Sequence, residues 1–431
     1  MMGKLHPLLP AYRLAWWLAQ PLAQPFLARR AARGKEDPAR IGERRGIAGL
    51  ARPDGRLVWM HGASVGEGLA LLPLVERMQA LGFVVLVTTG TVTSANVLAA
   101  RLPPGALHQF VPLDAGPFMR RFVDHWQPEL VLLAESELWP NLLLAAKQRG
   151  IAVALVNARM SARSFRRWSR AKGFIRAVLG CVDLCLAQST EDAGRFSALG
   201  AQRTEVCGNL KFDAAPLPVD AAALAALRQW IGERRCWIAA STHEGEETEI
   251  LGAHSTLAMV FPDLLTIIAP RHPARGGAIA ALGLGNGLQA ARRSLGERSG
   301  AQTQIYVCDT LGELGLLYSL DAPVFIGKSL ASGGGQNPIE AARLGSAILH
   351  GPAVGNFAEA FALLDAVGAA RPVTDGWSLA SELGVLLARA SARDAMGQRG
   401  RLAMEAQRGA ADAILRALAP VLAASAPDQS R

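Results

Sequence analysis

Short apolar runs bounded by glycine, proline and polar clusters recur along this chain, with stretches of helical period between them. As strands, the runs fall near 57–60, 83–88, 108–113, 130–134, 151–157, 184–188 and 205–208. Residues 212–220 carry two prolines and no periodicity, which predicts a linker. The alternation then resumes near 236–240, 264–269, 305–308, 324–326 and 347–349, and residues 377–422 read as helical and alanine-rich. Strands alternating with helices predict an α/β protein built of parallel βα units. A linker between two such halves predicts a cleft.

Length and composition agree with this picture: 431 residues, half of them hydrophobic, exceed one ordinary core. The net charge of +9 is concentrated in two blocks. One comprises Arg29, Arg30, Arg33, Lys35, Arg40, Arg44 and Arg45, the other Arg159, Arg163, Arg166, Arg167, Arg170, Lys172 and Arg176. Neither is interleaved with the aromatics that single-strand binders stack on bases, so nucleic acid is not the expected partner. An anionic membrane or a phosphorylated acceptor fits better. Residues 5–28 are apolar and aromatic but interrupted by Arg13 and four prolines, and the basic block follows at once. That pattern predicts an interfacial or barely spanning anchor rather than a cleaved signal peptide. Five cysteines without CxxC or His/Cys spacing predict reduced, buried thiols and no metal site.

The most informative segment is Leu57-Val-Trp-Met-His-Gly-Ala-Ser-Val-Gly-Glu67, a strand, a glycine turn and a helix start. Glu67 is thereby held at the carboxyl edge of a parallel sheet, where open α/β folds place ligands. It is a candidate general base, although Ser64-x-x-Glu67 also has the form of a capping box. Glu135 and Glu137 follow another buried run, either oriented as acids or capping the helix expected near Pro140. Lys211, in Gly-Asn-Leu-Lys-Phe-Asp, lies at a strand end beside the linker and is placed to meet developing charge. In the second half, Gly333-Gly-Gly-Gln-Asn-Pro-Ile-Glu340 is the best phosphate-type signal: Asn337 as N-cap, Pro338 at the first helical position, then Ile339 and Glu340. Pro270 and Arg271 end a strand, as an anion clamp would, and Leu311, Gly312 and Glu313 follow another.

The motifs HGASVGE, TTGTVTSAN, ESELWPN, NARMSARS, GNLKFD, STHEGEE, PRHP, DTLGEL and GGGQNPIEAA stand in one order. That series resembles the bacterial 3-deoxy-D-manno-octulosonic acid (Kdo) transferases of lipopolysaccharide biosynthesis. The resemblance implies a GT-B fold of two Rossmann-like domains facing a cleft, an N-terminal membrane-anchor helix, CMP-Kdo as donor, a lipid A precursor as acceptor, and no metal or other cofactor. It implies an inverting glycosyltransferase at the cytoplasmic face of the inner membrane. By motif position, Glu67 corresponds to the general base, and Glu135 and Lys211 to residues that stabilise the transition state. Pro270, Arg271, Leu311, Gly312, Glu313, Asn337, Pro338, Ile339 and Glu340 fall where the family binds CMP. The expected organisation is an anchor and basic segment over 1–45, an acceptor domain over 46–212, a linker over 213–225, a donor domain over 226–400, and a C-terminal helix and tail over 401–431. One residue departs from the pattern: Lys328 stands where the family typically carries glycine, and it either crowds the turn or adds a phosphate contact. Two other readings are a GT-B-like nucleotide-sugar epimerase, which needs neither an anchor nor Glu67, and a catalytically dead membrane-associated binding protein.

Overall fold

The computed structural model describes residues 7–297, 300, 302–330 and 333–424. The chain divides into two compact units, Met1–Ala214 with Gln407–Arg431, and Ala215–Ala406. In the first unit seven parallel strands run β1 Leu57–His61, β2 Val84–Thr89, β3 Leu107–Phe110, β4 Leu130–Ala134, β5 Ala152–Ala158, β6 Leu184–Ala187 and β7 Thr204–Val206. They lie in the order β3-β2-β1-β4-β5-β6-β7. The second unit has seven more: β8 Cys236–Thr242, β9 Leu265–Pro270, β10 Ala290–Arg292, β11 Ile305–Val307, β12 Val324–Ile326, β13 Ile348–His350 and β14 Ala370–Pro372. Their order is β10-β11-β9-β8-β12-β13-β14.

The central strands are buried along their whole length, because helices cover both faces of a parallel sheet. Continuous apolar runs such as Leu57-Val-Trp-Met and Leu130-Val-Leu-Leu-Ala satisfy that requirement. The pattern did not reveal β10 and β14. Each is a three-residue edge strand containing an arginine, so neither has the apolar run of a central strand. Winding reverses once in each sheet, between β1 and β4 in the first and between β8 and β12 in the second. Those reversals are where ligands bind in open α/β sheets.

The described part of the N-terminal segment expected as an anchor and basic segment over 1–45 is packed onto the first unit. It folds as two helices, Leu8–Ala19 and Ala23–Ala31, joined by a 3-10 turn holding Pro21. At 1.5 Å per residue the longer is ~18 Å, short of the ~30 Å hydrocarbon core, and no helix among the described residues is long and apolar enough to cross a membrane. Residues 1–6 of that segment, and 425–431 of the expected tail, lie outside the described residues. Leu9 is buried in the first unit's core, and Tyr12 donates a 2.9 Å hydrogen bond to Asp114. Asp114 also accepts from the amides of Asn141 and Leu142 at 3.1 and 2.9 Å, capping the helix Pro140–Gln148. Burial pushes the Asp114 carboxyl up to about 6 despite those donors.

Much of the first basic block is spent inside the unit. Arg30 and Arg44 pair with buried Glu36, and Arg40 pairs with Glu43. Within the C-terminal helix and tail expected over 401–431, the helix Ala410–Ala424 places Ala411, Ile414 and Leu418 in the first unit's core beside Val58 and Leu74. Asp213 holds the start of that helix through the amides of Gly409 and Ala411. All five cysteines are free thiols, with Cys207 and Cys236 only half-buried.

Asp114 thus ties the N-terminal helix to the helix that follows the Glu135 loop. Tyr12→Phe is expected to cost about 1 kcal/mol, and Asp114→Ala about 3 kcal/mol through loss of the cap and of the tyrosine's partner. Urea midpoints of the two variants measure this, and equal midpoints would show that the tie contributes nothing.

Candidate functional site

In the first unit the turn after β1 explains the glycine of His-Gly-Ala-Ser. A β-carbon at Gly62 would sit 2.9 Å from the amide nitrogen of Gly68 and 3.0 Å from the Glu67 β-carbon, so only glycine lets the chain enter the helix Val65–Ala80 here. The capping box forms in a shifted version. Ser64 Oγ accepts from the Glu67 amide at 3.3 Å and donates to Glu67 Oε1 at 2.7 Å, while Glu67 Oε2 takes the Ala63 amide at 2.8 Å. Capping therefore fixes the carboxylate at the β1/β4 reversal. Burial, and then the negative charges of Glu137 and Glu135, raise its carboxyl above the ordinary glutamate range, against the pull of Ser64 and Ala63.

Glu135 does not cap the helix Pro140–Gln148, whose leading amides belong to Asp114. It follows β4 in the left-handed region, at φ +50°, a conformation that costs a side-chain-bearing residue roughly 1–3 kcal/mol and is concentrated at functional sites. Its Oε1 lies 3.2 Å from Lys211 Nζ. Lys211 is positioned through two asparagines. Asn157, also left-handed at φ +51°, accepts from the Leu210 amide at 2.9 Å, and Asn209 accepts from the Lys211 amide at 3.1 Å. Glu137 points elsewhere, accepting from the Trp139 indole and lying 3.6 Å from Nε2 of the fully buried His61. Burial alone would raise the Glu137 carboxyl, but His61 and Trp139 bring it below the ordinary range. Glu67, Glu135 and Lys211 are thus brought together, with His61 as a supporting residue that the sequence reading passed over. Its signal was a histidine at the last position of a buried strand.

The β8/β12 reversal of the second unit repeats the device. A β-carbon at Gly327 would lie 2.7 Å from the Ser241 carbonyl, and Ser241 and Lys328 are both left-handed, at φ +57° and +60°. Lys328 therefore occupies a backbone conformation that suits glycine. Fully buried Glu246 accepts from the amides of His243, Lys328, Ser329 and Leu330 at 2.9, 2.7, 2.8 and 3.0 Å. This cradle of amides, of the kind that binds phosphates elsewhere, is filled by the protein's own carboxylate.

Arg271 stands exposed at the end of β9, its amide bonded to the Thr242 carbonyl at 3.0 Å, and no carboxylate pairs with it among the described residues. The neighbouring cations are committed: Arg275 to Glu247, Arg292 to Asp309, and Arg293 to Glu313. His243 packs edge-on against His272 and takes a 3.0 Å hydrogen bond from the Gln336 amide. Burial, then the positive charges of Lys328, His272 and Arg271, lower its proton affinity.

Around Asn337 the helix starts one residue later than expected, spanning Ile339–Arg343, with the Asn337 side chain accepting the Ile339 amide at 3.0 Å. Pro338 is buried just before it, and Glu340 is half-buried. Pro270 closes β9. Leu311 is 79% exposed and Gly312 turns at φ +82°. The Glu313 carboxylate is taken up by Arg293, at 2.6 Å from each nitrogen, and by Thr310. The 311–313 turn is thus tied to the β10 side of the sheet. Glu246→Ala is expected to strand four amides, that of Ser329 fully buried, and lower stability by about 3 kcal/mol or more, with Glu246→Gln losing less. Urea denaturation measures both, and an unshifted midpoint would show that the 328–330 loop does not depend on this carboxylate.

A family model described as 3-deoxy-D-manno-octulosonic-acid transferase (kdotransferase) matches residues 39–214. The 3-deoxy-D-manno-octulosonic acid transferase of Bordetella pertussis is 37% identical over 425 residues, spanning 94% of this chain and 98% of the relative. That of Haemophilus influenzae is 32% identical over 412 residues, spanning 94% and 96%. Among solved structures, a glycosyltransferase from Rickettsia africae superposes with a TM-score of 0.57 at 11% identity, covering 86% of this chain and 99% of its own. That likeness concerns the fold alone, which is of the GT-B type. The chain belongs to the 3-deoxy-D-manno-octulosonic acid transferase family of glycosyltransferases.

Proposed function

We propose that the protein transfers Kdo from CMP-Kdo to a lipid A precursor of the lipid IVA type, in lipopolysaccharide core biosynthesis, with inversion and without a metal. The carrying observation is Glu67, a carboxylate pinned by Ser64 and Ala63 at a sheet reversal and made more basic by burial and two acidic neighbours. In the reaction the acceptor hydroxyl gives its proton to Glu67 and its oxygen bonds to the anomeric carbon of Kdo. The bond from that carbon to the phosphate oxygen breaks, and CMP leaves with the electron pair. A single base acting on the face opposite the leaving group gives inversion, by analogy with glycosidases. Positive charge developing on the sugar meets the Glu135 carboxylate, which Lys211 orients. Arg271 takes charge on the departing phosphate, while Pro270, Leu311–Glu313 and Asn337–Glu340 hold the nucleotide, Glu340 through the ribose hydroxyls. Among the backbone amides near this loop, those of Lys328 to Leu330 are already committed to Glu246.

We also propose peripheral association with the anionic cytoplasmic face of the inner membrane. Leu14, Trp17, Leu18, Leu22 and Phe26 are 52 to 66% exposed on the N-terminal helices. A hollow of about 300 Å³ between those helices and the helix Gly116–Trp126 is lined by Leu14 and Trp17 with Arg13 and Arg120. Arg163, Arg166, Arg167 and Arg170 recur at i, i+3, i+4 and i+7 around a hollow of about 500 Å³, and no carboxylate pairs with them among the described residues. Trp168 of the same segment stacks on Phe174, which lies 6.4 Å from Tyr12, so this basic comb is packed beside the apolar helix.

Glu67→Gln is expected to lower transfer from CMP-Kdo by about 10²–10⁴-fold with CMP binding and melting temperature kept. Mass spectrometry of the lipid A precursor reads the transfer, and undiminished transfer would remove Glu67 as the base. Because the Glu67 carboxyl lies above the ordinary range, the acid limb of kcat/KM is expected above the glutamate value of 4.5. Removing one neighbouring charge with Glu137→Gln should move that limb to lower pH. Replacing the four arginines of the comb by alanine should weaken partition onto anionic vesicles by two orders of magnitude or more, at about 1 kcal/mol per arginine, and leave neutral vesicles unaffected. Unchanged partition would dissociate the comb from the membrane.

A further inference from the structure

We propose that Lys328 binds the phosphate of the donor nucleotide, adding a positive charge to the β8/β12 edge; this rests on the donor reading above. The observation behind it is an unfavourable backbone. Lys328 holds φ +60°, because the three amides that converge on Glu246 require a left-handed turn after Gly327. Glycine would adopt that turn without strain. A residue kept in a sparsely populated conformation points to a use for its side chain.

The side chain is placed for such a use. Its ammonium has no carboxylate or hydrogen-bond partner among the described residues, although the residue is half-buried. Buried lysine is ordinarily paired. Three arginines along this sheet edge are paired, Arg275 with Glu247, Arg292 with Asp309 and Arg293 with Glu313. The acid nearest to Lys328, Glu246, is consumed by backbone amides. Lys328 and Arg271 therefore remain as uncommitted cations, and both lower the proton affinity of His243 against the opposing charge of Glu246. Like charges gathered at one edge repel until an anion joins them.

The stem of Lys328 also runs over the glycines. A β-carbon at Gly333 would lie 3.8 Å from Lys328 Cε, and Gly333, Gly334 and Gly335 all turn at positive φ, at +90°, +111° and +70°. The ammonium is thus carried along a stretch of bare backbone that a phosphate can approach closely. Lysine acts there as a point charge, and the fixed backbone aims it.

CMP is the probe, and the full-length protein is titrated by calorimetry at low and at raised salt. Lys328→Gly and Lys328→Met are expected to bind CMP about tenfold more weakly with a shallower salt dependence, and Lys328→Arg to keep most of the affinity. Melting temperatures of the glycine and methionine variants should not fall, because glycine relieves the turn and methionine retains the stem. Unchanged CMP affinity in both overturns the proposal. Weaker binding together with a lower melting temperature also overturns it, since Lys328 would then be a scaffold residue. A wild-type protein that binds no CMP overturns the donor reading itself, whereas one that binds CMP regardless of residue 328 overturns only this inference.

Discussion

Where the winding of a parallel sheet reverses, the chain must leave the central strands through tight turns that ordinary extended or helical backbone does not fit. The candidate site residues of this protein depend on that constraint. Gly62 after β1 and Gly327 after β12 meet it by having no side chain. Glu135, Asn157, Ser241 and Lys328 meet it by adopting left-handed backbone near the ends of β4, β5, β8 and β12. Helices packed on both faces of each sheet hold these turns in place, so the strain becomes orientation of side chains rather than mobility.

The two units use the same backbone device for opposite electrostatics. In the first, three carboxylates gather near one reversal, and only Glu135 has a lysine within salt-bridge reach. The crowding makes Glu67 a better proton acceptor than an isolated glutamate. In the second, the buried acids Glu246, Glu247 and Asp309 are consumed, the first by amides and the others by arginines, and half-buried Glu313 is taken by Arg293. What remains at that edge are two cations without a carboxylate partner among the described residues, Lys328 and Arg271, of a kind suited to a leaving phosphate. On the proposed reading, proton removal and leaving-group stabilisation fall to different sheets according to how each unit spends its carboxylates.

Much of this was legible in the chain. Buried parallel strands are continuous apolar runs, and the candidate site residues Glu67, Glu135 and Arg271 stand just past the ends of such runs. The edge strands β10 and β14 were not legible, because three mixed residues leave no periodicity. Nor was the partner of a cap. Ser64 and Glu67 are three residues apart and could be paired by inspection, whereas Asp114 caps a helix 27 positions later and Glu246 fills a loop 82 positions later. Such pairings are set by the sheet order, which local sequence does not encode. The N-terminal segment was legible as amphipathic, but its division into a face buried by Leu9 and Leu27 and a face exposing Trp17 required the tertiary structure. The unpaired state of Arg271 belongs to the same class, since an arginine's partners are visible only once the fold assembles them.

The C-terminal helix has a consequence for how the protein is made. The first unit is discontinuous in the chain, whereas the second is one uninterrupted stretch, Ala215–Ala406. Ala411, Ile414 and Leu418 complete the core around Val58 and Leu74. On the ribosome that core stays uncovered while the intervening residues are synthesised, roughly 10–40 s at ~5–20 residues per second. The half that emerges first is therefore the last to be finished, and it needs either a tolerant intermediate or a chaperone to shield its sheet until the final helix arrives.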